Sequence, residues 1–136
     1  MQLSVINNPD PSHIERYEIA RAVFAETGGR SLRSVEALTS MIANAARAAD
    51  CRAVDIVRNA QIFTSRDKAS PNNHLWGVFA DNAGFQMCLR VAQKMLNGGL
   101  GDLCCGATRF HNDTCIPEWA MSRGYISEVD GLLFYL

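Results

Sequence analysis

The stretch Phe24-Ala25-Glu26-Thr27-Gly28-Gly29-Arg30 sets a carboxylate beside apolar residues, just before a pair of glycines. A carboxylic acid that donates a proton near neutral pH needs a raised pKa, and apolar surroundings raise it by disfavouring the charged form. Glu26, close in helical angle to Ile19 and one turn past Val23, is a candidate for that task. The glycines would also let a substrate approach the backbone closely. An ordinary solvated acid at a helix end is the alternative, although an acid there opposes the helix dipole and so does not serve helix stability.

A second concentration of chemistry-bearing types runs from Cys104 to Ala120, CCGATRFHNDTCIPEWA. Cys104, Cys105, His111 and Cys115 are zinc-ligand types, but the spacing lacks the usual C-x₂₋₄-C pair, and adjacent cysteines do not readily point at one metal. Buried free thiols and a disulfide are the other readings. A cysteine nucleophile with His74 or His111 as base is possible by residue type, without a nucleophile signature around any cysteine. Thr108, His111 and Asn112 share one extended segment, and Trp119 follows. Aromatic faces beside amides and hydroxyls suit sugar rings, whose C–H faces stack while their hydroxyls hydrogen-bond. Gln61 and Phe63 in NAQIFTS raise the same choice between ligand contact and ordinary core or surface.

These residues need elements to position them. Ser12 to Glu15 fits a capping box after Pro11, and Tyr17, Ile19, Ala20, Val23 and Phe24 share one arc at about 100° per residue, so a helix should run to Gly28-Gly29. SVEALTSMIANAARAAD carries Val35, Leu38, Ile42, Ala45 and Ala49 at helical spacing and is expected to be the central buried helix. Asp50 is expected to cap a short helix, RAVDIVRN. A further helix is predicted from Ala83 to Leu96, with Phe85, Cys88, Val91, Ala92, Met95 and Leu96 on one side. Ser65 to His74 reads as loop. GATRFHN and GLLFYL read as short strands paired with each other. The expected fold is α+β, mainly α, with a small sheet in the C-terminal third.

At 136 residues the chain suits one domain, 1–136, with one core. With 48% hydrophobic and 20% charged residues it is expected to be globular, and a net charge of −1 advertises no nucleic-acid partner. No apolar run approaches the ~20 residues of a membrane span. The N-terminal MQLSVINNPDPSH lacks a basic region followed by an apolar one, so it does not read as a secretory signal. An odd count of five cysteines cannot pair completely within the chain.

The order of the pieces carries a resemblance. Ala25-Glu26-Thr27-Gly28-Gly29, an alanine-rich helix containing Asn44, Gln61-Ile62-Phe63, GGLGDLCCGATRFHN, Pro117-Glu118-Trp119-Ala120 and a terminal Phe134-Tyr135 follow one another. From about Ile19 to Tyr135 this resembles the SleB-type cell-wall hydrolase family. The chain departs from the family pattern at Ala25, Thr27, Ala45, Arg109 and Leu132. The resemblance implies a lysozyme-like helical domain with a small antiparallel sheet, and cleavage of the bond between N-acetylmuramic acid and N-acetylglucosamine in peptidoglycan. It puts the catalytic acid at Glu26 and substrate contacts at Asn44, Gln61, Phe63, Thr108, His111, Asn112 and Trp119. It implies no metal or other cofactor, and glycan strands as the partner. One glutamate would act as acid and then base, forming a 1,6-anhydro product; a second carboxylate facing it, from Asp67, Asp81, Asp113 or Glu118, would favour hydrolysis. An enzyme without a visible signal would be made in the cytoplasm and reach the wall through a phage-like lysis or delivery route; a leader preceding the sequence given is the alternative. The alternatives are a Cys–His amidase or peptidase acting on the stem peptides, and a non-catalytic wall-binding or structural component. Oligomeric state is left open.

Overall fold

The computed structural model describes residues 11–114 and 116–136, with side chains from Ile14 onward. The capping box expected at Ser12 lies outside the described side chains, and Cys115 lies outside the described residues.

Among the described residues, four helices precede a small sheet: α1 (Pro11–Thr27), α2 (Leu32–Ala49), α3 (Ala53–Val57) and α4 (Ala83–Leu96), then β1 (Arg109–Asn112), β2 (Ser127–Val129) and β3 (Leu132–Tyr135). The fold is α+β and mainly α, as the sequence suggests. Short 3₁₀ turns at Thr64–Arg66, Asn73–Gly77 and Glu118–Ala120 interrupt the connections.

Several helix ends have a local cause. Ser31 caps α2 by accepting the Ser34 amide at 3.2 Å, and Asn82 caps α4 by accepting the Phe85 amide at 3.0 Å. Asp50 does not cap α3. It closes α2 in the left-handed conformation, φ 53°, and Arg52 begins α3 with its amide on the Asp55 carboxylate. Three residues, Asp50, Cys51 and Arg52, separate the helices, and a left-handed residue at the end of α2 is what turns the chain.

Burial is shared between α1 and α2. Every residue from Ile19 to Thr27 except Arg21 is buried, because α1 packs against α2, α3, α4 and two of the 3₁₀ turns. The last two turns of α1 are therefore enclosed on most sides, where the sequence suggested one apolar arc. That enclosure takes in Glu26. Gly29 makes it possible: a Cβ there would lie 2.8 Å from the Gly84 backbone, so the loop after α1 meets the first turn of α4 almost backbone to backbone. The close approach at this glycine is by α4 and not by a ligand.

The sheet has the order β1-β3-β2 and is antiparallel throughout. Phe110 faces Phe134 and His111 faces Leu133 across β1 and β3, the pairing expected of RFHN with LLFY. β2, which the sequence reading missed, joins β3 through Asp130-Gly131, both left-handed at φ 49° and 87°, as a tight hairpin turn requires. Phe110, Val129, Leu132 and Phe134 turn inward and join the helical core.

Candidate active site

Glu26 stands on the last turn of α1 with 6% of its surface exposed. The segment after α3 closes over it. Ser65, in the 3₁₀ turn at Thr64–Arg66, donates its backbone amide to Glu26 Oε2 at 3.2 Å. The Trp76 indole donates to Ser65 Oγ at 3.0 Å. Because that oxygen accepts from the indole, its own hydrogen is free for the carboxylate. Asn73 holds the same turn by donating to the carbonyls of Ser65 and Arg66 at 2.9 and 3.2 Å. Arg66 lies over the Trp76 ring, 4.2 Å from its centroid, and Arg21 ties the Trp76 and Val78 carbonyls back to α1. The stretch expected to be plain loop is thus a fastened wall of the site.

These surroundings raise the pKa of Glu26. Burial is the dominant cause, and the hydroxyl and amide of Ser65 pull part of the way back. The result is a carboxylic acid biased toward its protonated form and held in one orientation.

Two cavities meet at this residue. One, of about 520 Å³, is lined by Arg30, Ser31, Asp113, Asp130 and Gly131 among others; the second, of about 730 Å³, by Gln61, Ile62, Arg109, His111, Pro117 and Trp119 among others. Glu26, Asn72, Asn112 and Thr114 line both, so the pair forms a cleft with the acid at its junction. The first half is polar and acidic, the second largely aromatic and apolar.

His111 faces the second half. Its Nδ1 lies 2.6 Å from the Asn112 carbonyl, which can only accept, and its Nε2 lies 2.7 Å from the Tyr135 hydroxyl. The ring stacks on Tyr135 and meets Trp119 edge-on, with centroids 5.3 and 5.8 Å apart. These contacts lock an aromatic cluster on the cleft wall. Asn112 accepts the Thr114 amide through Oδ1 at 3.2 Å.

Of the residues expected to touch substrate, Gln61, His111, Asn112 and Trp119 therefore line the cleft with Glu26. Three do not. Phe63 has 0% exposure and packs on Phe110 at 5.3 Å, inside the core. Asn44 is buried and committed to the chain: its Nδ2 donates to the Ala107 carbonyl at 3.1 Å and to Asp102 Oδ1 at 3.3 Å, while Oδ1 accepts from Arg47. It pins the Asp102–Ala107 loop to α2. Thr108 hydrogen-bonds through its amide to the Tyr135 carbonyl at 2.8 Å and lines neither cavity.

Among the carboxylates, Asp113 shares the first cavity with Glu26; Asp67, Asp81 and Glu118 line neither. Asp130 was not foreseen. It reaches the same cavity from the β2–β3 turn and accepts from Ser31 Oγ, linking the hairpin to the start of α2. The Asp130-Gly131 pair was its signal, as a turn formed by two short strands. Ser65 and Trp76 had no comparable signal, because their link to Glu26 is purely tertiary.

The cysteines are dispersed. Cys88 and Cys104 are buried thiols, each pushed up to about 12 chiefly by burial, which leaves them poor nucleophiles at neutral pH. Cys51 and Cys105 are exposed. Among the described residues, no group of three His, Cys, Asp or Glu side chains is placed to hold a metal ion. No helix among them is long and apolar enough to cross a membrane. Comparison with protein-family models, with curated proteins and with solved structures finds no match to this chain.

Proposed function

We propose that this protein cleaves the β-1,4 bond between N-acetylmuramic acid and N-acetylglucosamine in peptidoglycan, with Glu26 as its acid. The observation that carries the reading is the position of Glu26: buried, raised in pKa, and in the wall shared by two adjoining cavities. A chain-like substrate lying along such a cleft presents an internal bond to the acid. The resemblance to SleB-type cell-wall hydrolases, and hence to lysozyme-like lytic transglycosylases, supplies the substrate class.

In the single-acid mechanism, protonated Glu26 gives its proton to the glycosidic oxygen as the C1–O bond breaks. The resulting carboxylate takes the proton of the muramic C6 hydroxyl, whose oxygen bonds to C1 and closes a 1,6-anhydro ring. One residue serves as acid and then base, and the sugar's own hydroxyl replaces a bound water. Ser65 steadies the carboxylate in its charged phase, while burial restores the acid. Gln61, His111, Asn112 and Trp119 orient sugars in the flanking half of the cleft.

One observation favours a second version. Asp113 lines the same cavity as Glu26, so hydrolysis with Asp113 activating water is the competing route on the same bond. A Cys–His peptidase finds no support in Cys88 or Cys104, whose thiols are held in the protonated form. The test of the reading is clearing of a purified peptidoglycan suspension. The wild-type chain should clear it, Glu26→Gln should not, and a cysteine alkylator should leave the rate standing. Clearing that survives Glu26→Gln would overturn the role of Glu26.

A further inference from the structure

Two arginines line the cleft, Arg30 in the first cavity and Arg109 in the second. Arg30 is tied to the backbone through one donor, its Nε giving to the Thr27 carbonyl at 3.1 Å. The Arg109 guanidinium makes no hydrogen bond or ion pair to any described residue. It is nevertheless held in place. Arg109 sits in β1 opposite Tyr135, and its guanidinium lies 4.0 Å from the centroid of Trp119. Trp119 is braced edge-on by Tyr135 at 5.0 Å and by His111 at 5.8 Å. Stacking uses the face of a guanidinium and leaves the N–H donors around its edge available.

The charge around it is unbalanced. Among the described residues, Glu26 is the only carboxylate lining the second cavity, and burial biases it toward the neutral form. Asp113 and Asp130 belong to the other half of the cleft. Partial burial and the neighbouring Arg123 both act against the Arg109 charge and lower its pKa. The opposite charge of an incoming anion would offset both. A planar guanidinium on an aromatic shelf matches a carboxylate, which accepts its parallel donors two at a time.

We propose that Arg109 is a specificity residue of the cleft, binding a carboxylate carried by the substrate in the cavity walled by His111 and Trp119. The inference rests on the glycan-cleaving function proposed above. On such a strand that carboxylate belongs either to the stem peptide or, where the stem has been removed, to the muramic lactyl group.

The test is calorimetric titration of the full chain carrying Glu26→Gln, so that ligands are not turned over. Three tetrasaccharides are compared: one with stem peptides, one stripped by an amidase so that its lactyl carboxylates are free, and an N-acetylglucosamine tetramer with no carboxylate. Adding Arg109→Gln should lower the preference for a carboxylate ligand over the neutral tetramer by about tenfold to a hundredfold, the scale of charge-assisted hydrogen bonds. Adding Arg109→Lys, which keeps the charge but loses the planar fork, should lower it less. Dependence on Arg109 with the stem-bearing ligand alone assigns the carboxylate to the peptide; dependence after stripping assigns it to the lactyl group. A preference that Arg109→Gln leaves unchanged overturns the proposal while the glycan reading stands. Failure of the Arg109-containing protein to bind any of the three overturns both.

Discussion

Ser65 holds Glu26: its backbone amide donates to Oε2 at 3.2 Å, across a sequence separation of 39 residues. The contact lowers the pKa that burial raises, so the acidity of Glu26 is a balance between the two. A general acid works only while protonated, and the rate should fall as pH rises through its pKa. Ser65→Ala removes the hydroxyl but keeps the amide. The pKa of Glu26 should then rise, and the alkaline limb of the pH–rate profile should move to higher pH. A limb that stays in place or moves down would show that the hydroxyl does not act on the acid.

The same burial makes Glu26 costly to the fold. Its folded pKa lies above the ordinary value of 4.5, so folding favours the protonated form. The favourable contribution is complete below 4.5 and is lost as pH rises through the folded pKa. Glu26→Gln, which does not ionise, should therefore unfold at a higher temperature than wild type at pH 8, with the gap narrowing by pH 4. Thermal unfolding monitored by circular dichroism at the two pH values measures this. A wild-type chain that gains on the variant as pH rises would contradict the direction of the shift.

Asn44 is assigned here to the scaffold. Asn44→Ala strips the Ala107 carbonyl of a buried donor and should cost about 1–3 kcal/mol in urea unfolding, with activity per folded molecule retained. Full stability with lost substrate affinity would return Asn44 to the binding surface.

Gly29 and Gly28 are adjacent and both left-handed, at φ 61° and 66°, yet their surroundings differ. A Cβ on Gly28 would first meet the Arg30 side chain at 3.5 Å, which can move; one on Gly29 would strike the Gly84 backbone at 2.8 Å. Gly28→Ala should cost about 1 kcal/mol for the backbone conformation alone, and Gly29→Ala clearly more, because α1 and α4 must separate. Equal losses in denaturant unfolding would show that the contact with α4 carries no weight.

What the sequence shows and hides has a physical pattern. α4 was legible to the residue because Phe85, Cys88, Val91 and Ala92 recur at helical spacing and bury as one face. The pairing of β1 with β3 was legible because each is a short apolar run bounded by turn residues. β2 was not, since Ser127-Glu128-Val129 is brief and only Val129 is buried. The resemblance points to Glu26 and to the His111–Trp119 wall, but family motifs do not separate residues that touch a ligand from residues that brace those that do. Asn44 and Phe63 turned out to brace. Ser65 and Trp76 left no local signal, because what matters about them is contact with a residue far away in the chain.

The most direct measurement is mass spectrometry of the soluble products released from purified peptidoglycan by the wild type, Glu26→Gln and Asp113→Asn. The single-acid mechanism predicts muropeptides ending in 1,6-anhydromuramic acid from the wild type and from Asp113→Asn, and none from Glu26→Gln. Reducing-end sugars that disappear with Asp113→Asn would transfer the second step to Asp113 and a water. Glycan left intact by the wild type would contradict the central claim that Glu26 cleaves this bond.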